Sequence, residues 1–556
     1  MIVASKEQIK EYTEKGCWGS KTLMQDFYSH AARMPQRTAI VDPLNKEALV
    51  GEKPDRITYA DLSRALDGTA TSLAASGIGK DDIVLVQMPN CWELAMLYLA
   101  IAKTGAAISP VPMQWRSKEL TYVAELTQAK AIITVDSFHG FEHLAMARDV
   151  QQKVGSIKHL FTYADIRRMI REKPDPRIND IPVDANDVFT ICWTSGTEAQ
   201  PKGCPLSHNN WRCQSSLACA AGVGAGDAQL TAGPMVNMAS VGTVYVPWLL
   251  LGGTMVLHHP FDPVLLLKQM VEEKINYTLL VPAVVNLILK HPAAAGFDLG
   301  SVKYITVGSA PPSFWAMDEF KKRWNVDIGN IWGQNEGTAI ISGVPDVPDM
   351  MRRVDQFPRY GAKGHTWSVP VTRFIETKVV DPSGNELTEA DAVGELLYRG
   401  PNVIPGYFRR PDLSEKAFDS QGFFRTGDLF QIKGDRYLKF FDRAKDIIIR
   451  GGFNISAQEV ENVVMAHPAV QDVAAVGMRD EDLGERTCVY VVPKPDQAVT
   501  LDDLVAFMKE KGVAVYKLPE RLEIIATVPR NPVGKILKNQ LRDDINKKLS
   551  GAVSIQ

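Results

Sequence analysis

The sequence predicts an α/β protein. It should have a large N-terminal domain of two layered α/β parts with a small β-barrel, followed by a small α+β domain. Three observations carry that expectation. Short β-rich runs alternate with helical segments in two long stretches, which argues for parallel sheet with helices packed on its faces. After Met350 the texture becomes β-rich with tight turns. Beyond a charged break, Asp442-Arg443-Ala444-Lys445-Asp446, about 110 residues read as a compact unit, a length that suits an independent domain. At 556 residues the chain also exceeds the ~250–300 at which single cores stop growing. The domains are therefore expected at 1–442 and 443–556.

The first alternation runs from Arg56 to Asp136. Asp81-Asp82 leads into a strand at Ile83–Gln87, and a helix follows from Cys91 to Thr104. A short strand at Ala106–Ile108, a helix at Ser117–Thr127 and a strand at Ala131–Val135 complete it. Residues Arg171 to Asp187, rich in Pro, Asp and Asn, read as a connector. A β-type run at Val188–Cys192 precedes a loop, and a helical segment starts near Ser207. Ala228 to Phe261 carries no Asp, Glu, Lys or Arg. Because Gly242, Pro247, Gly252 and Gly253 interrupt its apolar part, it reads as buried strand–helix–strand rather than a membrane span of ~20 apolar residues. Strands are expected at Tyr277–Val281, Val302–Val307 and Ile328–Trp332, with a helix at Ser313–Trp324. The last two strands end in turns of small or polar residues, Gly308 to Pro312 and Gly333 to Gly337. Ligands of open α/β sheets bind at such carboxyl ends, so these turns and the loop after Cys192 are expected to share one site.

Further on, β-structure is expected at Thr372–Val380, Gly394–Arg399 and Tyr437–Phe441. In the last domain Ser456-Ala457-Gln458-Glu459 is a capping box opening a helix with Val460, Val463 and Val464 on one face. Strands near Val473–Val476 and Cys488–Val492, a helix at Asp502–Lys511 and a strand near Leu522–Ile525 follow.

The balance of 62 basic and 65 acidic side chains, net −3, sets up no global field for nucleic acid or anionic membrane. From Arg443 onward there are sixteen charges of each sign, so no basic tail exists. Seven cysteines without metal or small-domain spacing read as reduced cytosolic thiols. The charged N-terminus is not a signal peptide, and a cytoplasmic protein is expected.

The stretch Trp193 to Cys204, WTSGTEAQPKGC, holds Thr194, Ser195, Gly196 and Thr197, then Pro201, Lys202 and Gly203. Small residues let backbone N–H groups approach an anion, hydroxyls add donors, and the lysine adds positive charge. It is not a Walker loop, since Pro201 stands where the second glycine belongs. By itself the string fits a phosphate loop or a plain solvated strand-to-helix loop.

Seven segments in order resemble the adenylate-forming superfamily of acyl-CoA and aryl-CoA synthetases, carrier-protein adenylation domains and luciferases. They are Thr194–Thr197 with Pro201-Lys202-Gly203, Gly308-Ser309-Ala310-Pro311, Trp332-Gly333-Gln334-Asn335-Glu336, Gly394-Glu395-Leu396, Arg425-Thr426-Gly427-Asp428, Asp442–Asp446, and Pro529 to Lys535. Singly, Glu336, Asp428 and Lys535 also read as surface charges; together, in the family's order, they do not. The resemblance implies two half-reactions: a carboxylate attacks the α-phosphate of MgATP, and a thiol, most often that of coenzyme A, then displaces AMP. The site must neutralise charge rather than supply a base.

The resemblance also assigns roles. Thr194, Ser195, Gly196, Thr197 and Lys202 would hold the β- and γ-phosphates, and Glu336 would bind Mg²⁺. Asn335, beside it, can donate to phosphate. Asp428 and Arg443 would reach the ribose. Gly308, Ser309, Ala310 and Pro311 would pass along adenine, with Trp332 stacking on it and Gly333 beside it. Lys535 would reach the carboxylate and the α-phosphate. Lys445 would be the hinge about which a mobile C-terminal domain turns, withdrawing Lys535 and bringing Arg450, Gly451 and Gly452 to the thioester side.

Departures from the pattern bear on specificity. Glu198 stands where many members carry a hydroxyl. Asn237 stands near a common histidine at the mouth of the acyl pocket, with Met238, Val241 and Gly308 as further lining. Met235, Val236, Met238 and Val241 carry no charge, so the acid is expected to be uncharged and apolar in its tail. The opening Glu11 to Trp18 looks somewhat like the start of aryl-acid adenylating enzymes and cyclic-carboxylate CoA ligases, which leads to a medium-chain, alicyclic or aromatic acid. The leading expectation is an AMP-forming carboxylate–CoA ligase. The alternatives are a stand-alone enzyme loading a carrier-protein pantetheine, and a non-catalytic nucleotide-binding relative. Oligomeric state is open.

Overall fold

A computed structural model describes the chain except for residues 195–199, 220–221, 293–295, 452, 532–534, 550 and 552–556. The chain divides into two compact units: Met1–Thr377 with Tyr398–Phe424, and Lys378–Leu397 with Arg425–Gln556.

The first unit contains two sheets, as the two alternations require. One has eight strands in the order Ala339–Ser342, Asp327–Gly333, Tyr304–Gly308, Tyr277–Leu280, Ala228–Thr231, Thr254–Leu257, Thr38–Val41 and Arg56–Thr58. Its interior pairings are parallel, and the strands at both edges run antiparallel. The other has six strands in the order His159–Phe161, Ala131–Thr134, Ile83–Gln87, Ala107–Pro110, Val188–Trp193 and Gly203–Ser207, all parallel but the last. Continuous apolar runs such as Ile83-Val84-Leu85-Val86 are buried throughout, as strands covered on both faces must be. The expected helix at Cys91–Thr104 forms as Trp92–Lys103, with all twelve residues buried.

The uncharged stretch is strand–helix–strand, as expected. The Ala228–Thr231 strand leads to helical residues 238–251, which include a wide π turn at Val241–Tyr245, and then to Thr254–Leu257. Among the described residues no helix is long and apolar enough to cross a membrane.

The second unit contains antiparallel pairings, among them Asp428 to Lys433 with Tyr437–Arg443, and a second sheet with helices against it. Its Ala457–Met465 helix is capped by Ser456, whose hydroxyl accepts from Glu459 N, and it buries Val460 and Val464. The Leu501–Glu510 helix and the Arg521–Ile524 strand match expectation. Two readings change. Thr372 to Phe374 lies in a 3-10 turn, and the strand begins only at Glu376, because Pro370 fixes a helical φ at the start of that turn. A C-terminal helix at Lys538–Leu549 follows; its mostly charged sequence buries only Lys538, Leu541 and Ile545 and gave little periodicity to read.

Candidate functional site

The loop after Val188–Trp193 is not a strand-to-helix connection. It closes a hairpin onto Gly203–Ser207, in the register Trp193 opposite Gly203 and Cys192 opposite Cys204. The helix His208–Cys219 starts only after that second strand. Thr194 N–H donates to the Lys202 carbonyl at 3.0 Å, and Lys202 N–H donates to Thr194 Oγ1 at 3.2 Å, which brings the ends of the loop together. Pro205 disguised the strand in the sequence. It is tolerated because this strand is at the sheet edge and the pairs alternate between bonded and unbonded. Ser195, Gly196, Thr197 and Glu198 lie outside the described residues.

The turn after Asp327–Gly333 meets the base of that hairpin. Its tightness rests on Gly337, at φ +94°, where a Cβ would lie 2.0 Å from the Asn402 carbonyl oxygen. Asn335 is the joint. Its side-chain amide donates to the Trp193 carbonyl at 2.7 Å, and its Oδ1 accepts from Met238 N–H at 2.8 Å. The amide expected to serve phosphate thus gives one donor to the backbone and ties together the phosphate-loop, metal and acyl candidates.

Glu336, next in the chain, is 7% exposed, and its Oε1 accepts from the Tyr407 hydroxyl at 2.7 Å. Lys202 Nζ lies over the face of the same tyrosine, 4.6 Å from the ring centre. Beneath them, burial pushes the Cys204 thiol well up, with the Glu336 charge adding to it. Tyr407 is a residue that sequence reasoning missed. It is 71 positions from Glu336, and no spacing rule links the two.

The adenine-side candidates sit at the carboxyl ends of adjacent parallel strands, with Gly308 opposite Ile331. A Cβ on Gly308 would lie 2.9 Å from Ile331 Cγ2, so the close packing selects glycine. Ser309 follows at φ +74° and is exposed, with Ala310 and Pro311 half-buried. Trp332 is buried at 9% exposure, while Gly333 is exposed. On the acyl side Asn237 is half-buried and caps the Met238–Ser240 turn, its Oδ1 accepting from Ala239 N–H at 3.1 Å. Met238 and Val241 are buried, the latter completely. Val241 opens the π turn, a feature often found at functional sites.

In the second unit Asp428 is buried and faces Arg443 across the hairpin, with Nε 3.6 Å from Oδ1. Lys445 is exposed, and its carbonyl accepts from Arg542 Nη2 at 2.8 Å. Asp442 is buried and holds the helix start, accepting from Ser456 Oγ at 2.8 Å and Gln458 N–H at 3.1 Å. Lys535 N–H donates to Asn531 Oδ1, and Asn531 N–H to the Lys535 carbonyl, both at 2.8 Å. Three residues on, Lys538 pairs with buried Glu461 at 2.9 Å. Arg450 makes a two-point ion pair with Glu520 at 2.9 and 3.0 Å, and Gly451, at φ +53°, donates to the Leu483 carbonyl. Gly452 lies outside the described residues.

Among the described residues no cluster of three or more His, Cys, Asp or Glu side chains could cage a metal. A lone carboxylate such as Glu336 suits Mg²⁺, which is held by one or two carboxylates together with substrate phosphates.

Comparison with known proteins gives the family and the fold. The pattern of the family described as AMP-binding enzyme matches residues 27–408, and that of the AMP-binding enzyme C-terminal domain matches residues 459–535. The chain is 30% identical to 2,3-dihydroxybenzoate-AMP ligase of Bacillus subtilis (strain 168), over 98% of this chain and 97% of that one. It is also 30% identical to medium-chain fatty-acid–CoA ligase of Escherichia coli (strain K12), over 99% and 95%. The solved ATP-bound MatB from Rhodopseudomonas palustris has the same fold, with a TM-score of 0.81 at 24% identity, covering 95% of this chain and 100% of that one.

Proposed function

The chain belongs to the AMP-binding enzyme family of adenylate-forming acid ligases, and on that premise we propose that it is an AMP-forming carboxylate–CoA ligase. A carboxylate oxygen of the acid attacks the α-phosphorus of ATP, and pyrophosphate leaves with the broken P–O bond. The sulfur of coenzyme A then attacks the acyl carbon of the adenylate, and AMP leaves. The observation that supports this reading best is the convergence of Trp193, Lys202, Asn335 and Glu336 at one place in the first unit.

Within this reading Thr194 and Lys202, with Ser195, Gly196 and Thr197, hold the β- and γ-phosphates. Gly308, Ser309, Ala310, Pro311, Trp332 and Gly333 form the adenine side, and Asn335 braces the loop. Asp428 accepts from the ribose hydroxyls, with Arg443 beside it. Mg²⁺ bound at Glu336 would neutralise charge on the phosphates. Lys535 carries positive charge to the reacting carboxylate and α-phosphate. Residues from 443 onward turn about Lys445 between the two steps, which exchanges Lys535 for the Arg450-Gly451-Gly452 loop at the reaction centre. Asn237, Met238, Val241 and Gly308 line the acyl side. Their uncharged character supports a medium-chain, alicyclic or aromatic acid, as does likeness to a fatty-acid–CoA ligase. The six described cysteines are free thiols, which supports a cytoplasmic setting.

A second reading is loading of a carrier-protein pantetheine, favoured by the equally strong likeness to an enzyme named 2,3-dihydroxybenzoate-AMP ligase. The two separate in one assay: pyrophosphate release with MgATP across a panel of carboxylic acids, with and without CoA. Turnover that needs CoA for one group of acids is the expected result. Release that stalls near one equivalent despite CoA establishes the carrier-protein reading, and no release with any acid leaves only nucleotide binding. Lys535→Ala is expected to lose adenylate formation and keep thiol transfer from a supplied acyl-adenylate; equal loss of both steps removes the assigned role.

A further inference from the structure

Tyr407 stands between two side chains that the proposed reading assigns to opposite jobs. Its hydroxyl donates to Glu336 Oε1 at 2.7 Å while Lys202 Nζ rests 4.6 Å from its ring centre. The position of Tyr407 is set by backbone on both sides. Ile404 N–H donates to the Glu336 carbonyl at 2.9 Å, and Phe408 N–H donates to the Gly203 carbonyl, next to Lys202, at 2.8 Å. Tyr407 N–H itself donates to Ser414 Oγ at 2.9 Å, and a Cβ on Gly406 would lie 2.9 Å from that oxygen, so the chain has no slack here. Lys202 and Glu336 carry opposite charges and contact the same ring, so each is an available counter-charge for the other. Among the described residues no ion pair engages either of them.

We propose that Tyr407 is a positioning residue that keeps Lys202 and Glu336 apart and aims each at its own partner. The inference rests on the reading of Glu336 as the magnesium carboxylate and Lys202 as a phosphate contact. The hydroxyl fixes one carboxylate oxygen through a charge-assisted hydrogen bond and leaves the carboxylate oriented for a hard cation. The aromatic face supports the ammonium without neutralising it, as cation–π contact does. A direct Lys202–Glu336 pair would withdraw both charges from the triphosphate.

The two functions of one ring are separable. Tyr407→Phe keeps the face and loses the hydroxyl; Tyr407→Leu loses both. The measurements are calorimetric binding of ATP with and without Mg²⁺, and the Mg²⁺ concentration giving half-maximal pyrophosphate release. Tyr407→Phe is expected to bind metal-free ATP as the parent does, and to need about tenfold more Mg²⁺. Tyr407→Leu is expected to show the same metal shift and, in addition, severalfold weaker binding of metal-free ATP. An unchanged Mg²⁺ requirement in Tyr407→Phe overturns the proposal, as does equal weakening of both binding modes in that variant. Glu336→Gln tells the failures apart. If it too leaves the Mg²⁺ requirement unchanged, the magnesium assignment falls and the inference falls with it. If it alone raises the requirement, only the role of Tyr407 is wrong.

Discussion

Two polar groups in the first unit, one fully buried and the other including half-buried Lys202, look alike in composition and differ in what they do. In one, Lys46 is fully buried and sits 2.7 Å from Asp42 and 2.9 Å from Glu93, both also fully buried. Tyr163 OH donates to the same Glu93 oxygen at 2.7 Å, and Arg167 reaches it at 3.2 Å. In the other, Glu336 and Lys202 face a neutral tyrosine. The first cluster spends its charges on one another and welds the segment from Asp42 to Lys46 to the start of the Trp92–Lys103 helix. The second sets opposite charges against one neutral ring, and among the described residues neither is in an ion pair. A buried acid is therefore no marker of a site by itself; what distinguishes the candidate site is that, among the described residues, a neutral ring and no counter-charge meets Glu336 and Lys202.

That contrast can be broken from either side. The largest effect is expected at Lys46→Met, which leaves Asp42 buried without its cation and Glu93 with Arg167 alone. Loss of about 3–5 kcal/mol in denaturant unfolding is expected, with pyrophosphate release per folded molecule unchanged. A fall in kcat without a fall in stability would erase the distinction. Glu336→Gln should do the reverse. Pyrophosphate release falls on the order of a hundredfold, while the thermal midpoint stays within a few degrees of the parent.

The smallest effect is a slope. Burial pushes the Asp42 carboxyl from its ordinary 3.8 up to about 7, with the Glu93 charge adding and Lys46 opposing. Burial alone would lower the Lys46 ammonium, but Glu93 and Asp42 outweigh it and hold it charged. Since folded Asp42 binds its proton more tightly than unfolded Asp42, its contribution is present below pH 4 and is lost as the pH rises through about 7. Between those limits the parent should lose stability by up to about 1 kcal/mol per pH unit, and Asp42→Asn should lack that component. A variant that parallels the parent across this window would show that Asp42 stays ionised in the fold.

Much of this protein was legible in one dimension. The alternation of Ile83–Gln87, Trp92–Lys103 and Ala107–Pro110 follows from local periodicity, and periodicity is a property of neighbours in sequence. The segments around Lys202, Gly308, Glu336 and Asp428 were found because their residue types and order resemble a family, and that family's pattern matches residues 27–408, which include the first three. The sequence alone thus determined the fold class and the adenylate-forming family.

Tertiary structure decided how those segments are joined. The hairpin at Gly203–Ser207 was hidden because a five-residue run with a proline has no periodicity of its own, and only pairing with Val188–Trp193 makes it a strand. Asn335 reads as a phosphate donor in the sequence, and only the fold shows that its amide also joins Trp193 to Met238. Tyr407 carries no motif, because the contact that gives it meaning spans 71 residues. Local rules report backbone preference and burial, whereas whether two charges pair or are kept apart depends on a third side chain that the fold brings from elsewhere.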